Sequence, residues 1–298
     1  MPRSTDPSDA ATPLLKDRIR TLFRHFPKAL AGEEEPIHQM RVAARRLRVA
    51  LPLLARKPRG RRVREAAAIL RDVTRAGGGS RDLDVGLELL EARLKAAEAV
   101  PPELATLRKR LRAARSRTRG RMAEELLDLP ISRLRRRLAV VVRRRGENLF
   151  TVFGRLREAA EAGRADLEAL LEALGDRYEP AELHRLRICA RRLRYTAEIV
   201  DVLKGADSGA PALFKSVQER LGRIHDASVL GAWMARQAVL AEARGEHALA
   251  LEARRQHDTL SEESRDEHRR FLADSPRALL EKALDAVGSA RGGSERAS

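Results

Sequence analysis

Apolar residues along this chain return every three to four positions almost from end to end, and no stretch keeps the period of two expected of a strand. The pattern predicts an all-α protein. Leu14 to Leu30 reads as an entry helix, and the next runs from about Pro36 to Ala55, with Pro36 suited to its first turn. Further helices fall near 60–76, 82–98 and 102–128, punctuated by Pro58, the GGG at 77–79 and the pair Pro101-Pro102. Two more span about Ile131 to Arg145 and about Asn148 to Leu174. A second series starts at Pro180 and gives helices near 181–204, 211–224, 227–244, 246–273 and 276–287. Residues 1–12, rich in Pro, Ser, Thr and Asp, and the Gly/Ser-rich stretch 288–298 read as disordered tails.

Within this pattern one basic helix occurs twice. IHQMRVAARRLR at 37–48 and LHRLRICARRLR at 183–194 share His, Arg, Ala, Arg, Arg, Leu and Arg at matching places. Each is followed by a second helix and then by a short motif containing aspartate, LRDVTRAGGGSRDLDVG in one series and VQERLGRIHDASVLG in the other, which sets Asp82 opposite Asp226. A repeat of this size points to duplication. The expected organisation is a single domain over 13–287 with halves of about 13–146 and 147–287. In this reading two pseudo-symmetric four-helix bundles enclose a basic central cavity or surface.

The matched charges share a face. At about 100° per residue, with His38 as zero, Arg45, Arg41 and Arg48 fall within about 80° of one another and of the histidine. Met40, Ala43, Ala44, Leu47, Leu51 and Leu54 occupy the opposite, core-facing arc. The second copy repeats this with His184, Arg187, Arg191 and Arg194 over Leu186, Ala190 and Leu193, while Arg46 and Arg192 lie on the flank. No carboxylate is expected within the stripe, so its arginines repel one another unless a polyanion lies along it. Further arginines in helical register, Arg108, Arg112, Arg115 and Arg119, then Arg133, Arg136 and Arg137, are candidates for additional phosphate contacts. The first of these runs also lacks an obvious local partner. Asp82 and Asp226 are unsuited to phosphate and are read as carboxylates that orient a basic residue of their own repeat.

Composition narrows the ligand. A formal net charge of +17 calls for a polyanionic partner, and 52 of the 60 basic residues are arginine, whose planar fork grips phosphate oxygens in pairs. Codon usage in a GC-rich genome accounts for much of that arginine excess. Aromatic residues are only 3% of the chain, too few for stacking platforms once the core has taken its share, which disfavours single-stranded nucleic acid. The single cysteine, Cys189, excludes an internal disulfide or a cysteine-based zinc site and reads as a small packed residue, since the first copy has Ala43 there. Neither an apolar leader nor a membrane span is evident, so a cytoplasmic protein is expected.

The two basic segments, with RDLDV at 81–85 and LGRIHD at 221–226, resemble the signature helices and following motifs of the CHAD (conserved histidine α-helical domain) family over roughly residues 30 to 285. The GGG ahead of Ser80 departs from the family's motif. The resemblance implies two four-helix bundles about a pseudo-two-fold, binding of inorganic polyphosphate and association with polyphosphate granules. Carried over residue by residue, its basic positions fall on His38, Arg41, Arg45, Arg46 and Arg48 and on His184, Arg187, Arg191, Arg192 and Arg194. Some members are fused to a triphosphate tunnel metalloenzyme domain; the 36 residues before Ile37 are too few for one, which suggests a standalone domain.

The expected activity is therefore binding without catalysis, with no cofactor and no metal. Polyphosphate carries charge on every unit and no bases, which suits an arginine-rich, aromatic-poor surface. The alternative is a protein that binds nucleic-acid backbone non-specifically. His225-Asp226 lacks the further ligands of a metal phosphohydrolase, and GGGS at 77–80 lacks the lysine of a phosphate-binding loop.

Overall fold

The computed structural model describes residues 11–96, 100–143 and 148–289. Eleven helices carry these residues: α1 (Ala11–Leu30), α2 (Glu34–Leu54), α3 (Arg61–Ala76), α4 (Gly78–Ala96), α5 (Pro102–Asp128), α6 (Ile131–Arg143), α7 (Leu149–Leu174), α8 (Pro180–Lys204), α9 (Ala210–Glu242), α10 (His247–Ala273) and α11 (Pro276–Ser289). There is no strand among the described residues. The sequence expectations that α1 begins at Leu14 and that the C-terminal tail begins at 288 both shorten real helices, which reach Ala11 and Ser289. The rest of each predicted tail, like the end of the helix expected at 82–98 and of that expected at Ile131–Arg145, lies outside the described residues.

Two boundaries differ from the pattern for a stated physical reason. The helices expected at 211–224 and 227–244 are one 33-residue helix, α9. The segment between them, RIHDAS, contains neither glycine nor proline, so nothing interrupts the backbone ladder. In the first series the GGG does interrupt, but more lightly than expected. Only Gly77 separates α3 from α4, at a right-handed φ of −75°, and Gly78 and Gly79 already belong to α4.

Packing follows chain order twice. Helix α2 lies between α1 and α3 while α8 lies between α7 and α9; α6 packs on α3 and α11 on α9; α5 packs on α4 and α10 on α9. The apolar interior nevertheless forms three clusters instead of one per half. One joins α1, α2, α3 and α6 to the start of α7 and the ends of α5 and α8. A second joins α8 and α11 to the ends of α7 and α10 and the first part of α9. The third draws on both halves, with Leu87, Leu90, Leu107 and Leu111 packed against Trp233, Met234, Ala250 and Leu260. It ties α4 and α5 to α9 and α10 at about 25 cal/mol for each Å² of apolar surface removed from water.

The periodicity of the repeated helices places their faces as expected. Met40, Ala44, Leu47 and Leu51 are fully buried in α2, as are Leu186 and Ala190 in α8. Cys189 is buried and free, with its Sγ 3.5 Å from the Gly163 carbonyl, in keeping with the packing role expected of it. With these faces inward, the opposite faces of α2 and α8 are left toward each other and toward α4 and α9, and α2 contacts α8 directly.

Candidate functional site

Four arginines meet where α2 approaches α8. Arg41 and Arg45 from α2 and Arg187 and Arg191 from α8 form a mutually repelling set: Arg45 bears on Arg41, Arg187 and Arg191, and Arg187 bears on both Arg41 and Arg191. All four are partly buried. Burial, reinforced by Arg45, pushes both Arg41 and Arg191 down to about 10. Burial also lowers Arg187, against the pull of Asp226. Among the described residues none of the four has a carboxylate within ion-pairing distance. Arg45 Nε is buried with no hydrogen-bond partner. A guanidinium in this position has lost water without gaining a protein acceptor, at a cost of about 1–3 kcal/mol per unsatisfied group.

Two glycines let these side chains lie flat. Arg41 Nη1 donates to the Gly77 carbonyl, and a methyl group added at Gly77 would come within 3.0 Å of Arg41 Cδ. On the other side Arg187 crosses Gly222, where an added methyl would sit 3.6 Å from Nη2. The GGG that departs from the family's motif thus provides close approach rather than a left-handed turn.

The histidines and aspartates ring the arginines. Burial and then Arg81 lower His38, whose neighbours also include Arg45 and Arg41. Burial lowers His184, with Arg187 and Arg191 adding to the effect, and its Nδ1 is buried without a partner. His225, set aside in the sequence as an unconvincing metal ligand, stacks on His184 with ring centroids 4.7 Å apart and is driven to about 4 by burial, Arg187 and His184. Asp82 faces Arg41, Arg187 and His184, and Asp226 faces Arg187 and Asp82. Burial, reinforced by Asp82, raises Asp226 above the usual carboxylate range. Each aspartate therefore lies in the field of the arginine of its own series, without a direct ion pair to it. Arg81, which pairs with Glu34 at 3.3 Å and Glu88 at 3.5 Å, completes the ring.

Other predicted positions are engaged elsewhere. The stripe of the second copy contains a carboxylate after all: Glu198, one turn beyond Arg194, pairs with Arg194 at 3.4 Å and reaches across to Arg46 at 3.1 Å. It also draws on the buried Arg18, which burial pushes down to about 10. Arg192 pairs with Asp166 on the outside of the molecule. Arg46, Arg192 and Arg194 are thus turned away from the four-arginine cluster. Arg48 remains exposed beside it, lowered by burial and by Arg71 and Arg45.

The run on α5 has partners the sequence did not reveal. Arg115 and Arg119 close on the buried Asp84 at 3.3 and 2.7 Å, Arg119 also reaches Glu34, and Arg112 pairs with Glu91. The orienting carboxylate of RDLDV for these arginines is therefore its second aspartate, Asp84. Arg137 pairs with Glu65, whereas Arg133 and Arg136 are exposed and Arg108 half-buried, none with an ion pair among the described residues. No group of three His, Cys, Asp or Glu side chains among the described residues is placed to hold a metal ion. No described helix is long and apolar enough to cross a membrane.

Comparison with known proteins places the chain. The CHAD domain family matches residues 14–235. Uncharacterized proteins from two strains of Mycobacterium tuberculosis, CDC 1551 and H37Rv, are each 29% identical over 259 residues, covering 80% of this chain and 48% of the relative. The chain spans about half the length of the curated relatives it matches. Among solved structures, the CHAD domain from the plant Ricinus communis superposes with a TM-score of 0.56 at 23% identity, over 95% of this chain and 90% of that one. PptA from Streptomyces chartreusis superposes with a TM-score of 0.67 at 19% identity, over 93% and 99%. These two likenesses show the fold.

Proposed function

The chain belongs to the CHAD domain family, and from that premise we propose that it binds inorganic polyphosphate without catalysis, using the cluster where α2 meets α8. The family is associated with polyphosphate. The observation that carries the reading is the set of Arg41, Arg45, Arg187 and Arg191, partly buried and drawn from two helices, with no carboxylate among the described residues to pair with them. Their repulsion and lost hydration destabilise the empty site. A chain of phosphates supplies negative charge at every unit and acceptor oxygens on both sides, and so relieves both costs. His38, His184 and His225 donate further hydrogen bonds to it. Asp82 and Asp226 counter part of the cationic field while the site is empty. In this reading the protein sits at polyphosphate granules.

An aromatic content of only 3% favours a ligand without bases over single-stranded nucleic acid. A competition titration at near-physiological salt tests the reading, with long-chain polyphosphate, duplex DNA and RNA at equal phosphate concentration. Polyphosphate is expected to win, and Arg45→Ala/Arg191→Ala to lose most of that preference. Equal competition by all three would replace the proposal with non-specific backbone binding.

A further inference from the structure

The basic surface does not end at the cluster, and it continues on one side only. At the place in α8 where Glu198 neutralises Arg194, the matching position in α2 is Pro52. Arg48 is therefore uncompensated and lies in the field of Arg71 on α3. Arg64 and Arg71 sit seven residues apart, on one face of α3, and both are exposed. The matching part of α9 has Lys215 paired with Glu219 at 3.4 Å.

That face of α3 leads to a notch of about 310 Å³ between the α2–α3 loop and α6, lined by Arg56, Lys57, Arg61, Arg62 and Arg137 over a floor of Val63, Val140 and Val141. Glu65 pairs with both Arg61 and Arg137 at 2.6 Å. Arg56, Lys57 and Arg62 are exposed and have no ion pair among the described residues. In the second half the equivalent loop reads GADSG at 205–209, and α11 mixes Arg277 and Lys282 with Glu281 and Asp285. Among the described residues, the matching loop of the second half carries no cation.

Resting on the polyphosphate reading above, we propose that this notch is a second anion-binding site, joined to the cluster by Arg48, Arg71 and Arg64. A long phosphate chain engages both, leaving the cluster over α3, and a short chain engages the cluster alone. The ten residues from Arg45 to Ala55 separate the two footholds by about 15 Å along α2. The site reads chain length, and because the second half lacks a counterpart it also fixes which way a long chain leaves.

The test compares the full chain with Arg56→Ala/Lys57→Ala/Arg62→Ala and with a control that removes the same charge elsewhere, Arg244→Ala/Arg265→Ala/Arg277→Ala. Affinity for tripolyphosphate and for long-chain polyphosphate is measured against salt. All six side chains are exposed, and unchanged thermal unfolding confirms that the folds are intact. The notch variant is expected to keep wild-type affinity for tripolyphosphate. For the long chain it should lose on the order of tenfold and flatten the log–log salt slope by about two to three, roughly one per cation removed. The control is expected to change either value much less. Equal losses in notch variant and control, equal losses for both ligands, or no loss for the long chain would each overturn the notch as a site. Loss of duplex DNA binding with polyphosphate binding intact would reassign it to nucleic acid. Failure of the wild-type chain to bind either phosphate ligand would instead refute the polyphosphate reading itself.

Discussion

The first half reaches the arginine cluster through a break between two helices, and the second reaches it through the middle of one. At Gly77 the backbone carbonyl accepts only a long 3.4 Å bond from the Arg81 amide, and Arg41 takes its other lone pair. At Gly222 the α9 ladder runs on unbroken, so Arg187 rests against the helix and is held in the field of Asp226. The histidines differ in the same way. His38 faces the cation of Arg81, while His184 faces His225, a group that changes its charge with pH. The first half thus anchors its arginine on a backbone carbonyl, while the second rests its arginine against a helix and adds a second histidine to the site. Two helices of similar sequence acquire different surroundings because the element that follows each is built differently.

The sharpest way to break this comparison is to remove the arginines that both halves contribute to the cluster and set the result against those that face away. Arg45→Ala/Arg191→Ala is expected to weaken polyphosphate binding at least about 100-fold, from two charge-assisted contacts of about 1.5 kcal/mol or more each, measured by titration at fixed salt. Arg46→Ala/Arg192→Ala, whose side chains already serve Glu198 and Asp166, should change the affinity by less than about threefold on the scale of exposed ion pairs.

Titration separates the halves next. His225 lies at about 4 in the free protein against an ordinary 6.5, so as pH falls the unfolded chain takes up that proton first. The stability involved is present above about 6.5 and is lost as pH falls toward about 4. A bound polyanion favours the protonated form, so affinity should rise over the same fall in pH. His225→Asn is expected to flatten both trends more than His38→Asn does. Thermal unfolding between pH 7 and 5 and binding titrations at constant ionic strength provide the readings.

The smallest effects come from the glycines. Gly77→Ala puts a methyl group against the Arg41 stem and should weaken binding a few-fold. Gly222→Ala leaves an ordinary contact with Arg187 and should leave affinity nearly unchanged while raising stability by about 0.5–1 kcal/mol, as expected for a helix-interior glycine. Equal effects on binding would remove the distinction between an anchored and a resting arginine.

Much of this arrangement is legible without a structure, but not evenly. The period of the apolar residues gives the helices and the inward face of α2 and α8, and the repeated motif picks out His38, Arg41, Arg45 and their counterparts. It also includes Arg46, Arg192 and Arg194, whose ion pairs no helical wheel can show because it treats a helix as isolated. Glu198 serves Arg46 across the α2–α8 contact, and that pairing crosses the two copies. Asp84 carries no signal of its own in the short motif it shares with Asp82, and only the packing of α4 on α5 buries it against Arg115 and Arg119. His225 carried no signal beyond its place beside Asp226, since a stack on His184 leaves no mark in spacing.

By itself the sequence determined which residues turn inward, where most helices stop, and that an excess of arginine is placed in register on two related helices. These are local properties, fixed by side-chain period, by breakers and by charge. Tertiary structure decided which of those arginines are free. A guanidinium is neutralised by whichever carboxylate the fold brings within a few ångströms, and those carboxylates come from distant parts of the chain: Glu198 for Arg46, Asp84 for Arg119 and Glu65 for Arg137. Binding capacity is what remains after that pairing, and the assembled packing of α2 against α8 leaves the four central arginines without a carboxylate partner among the described residues.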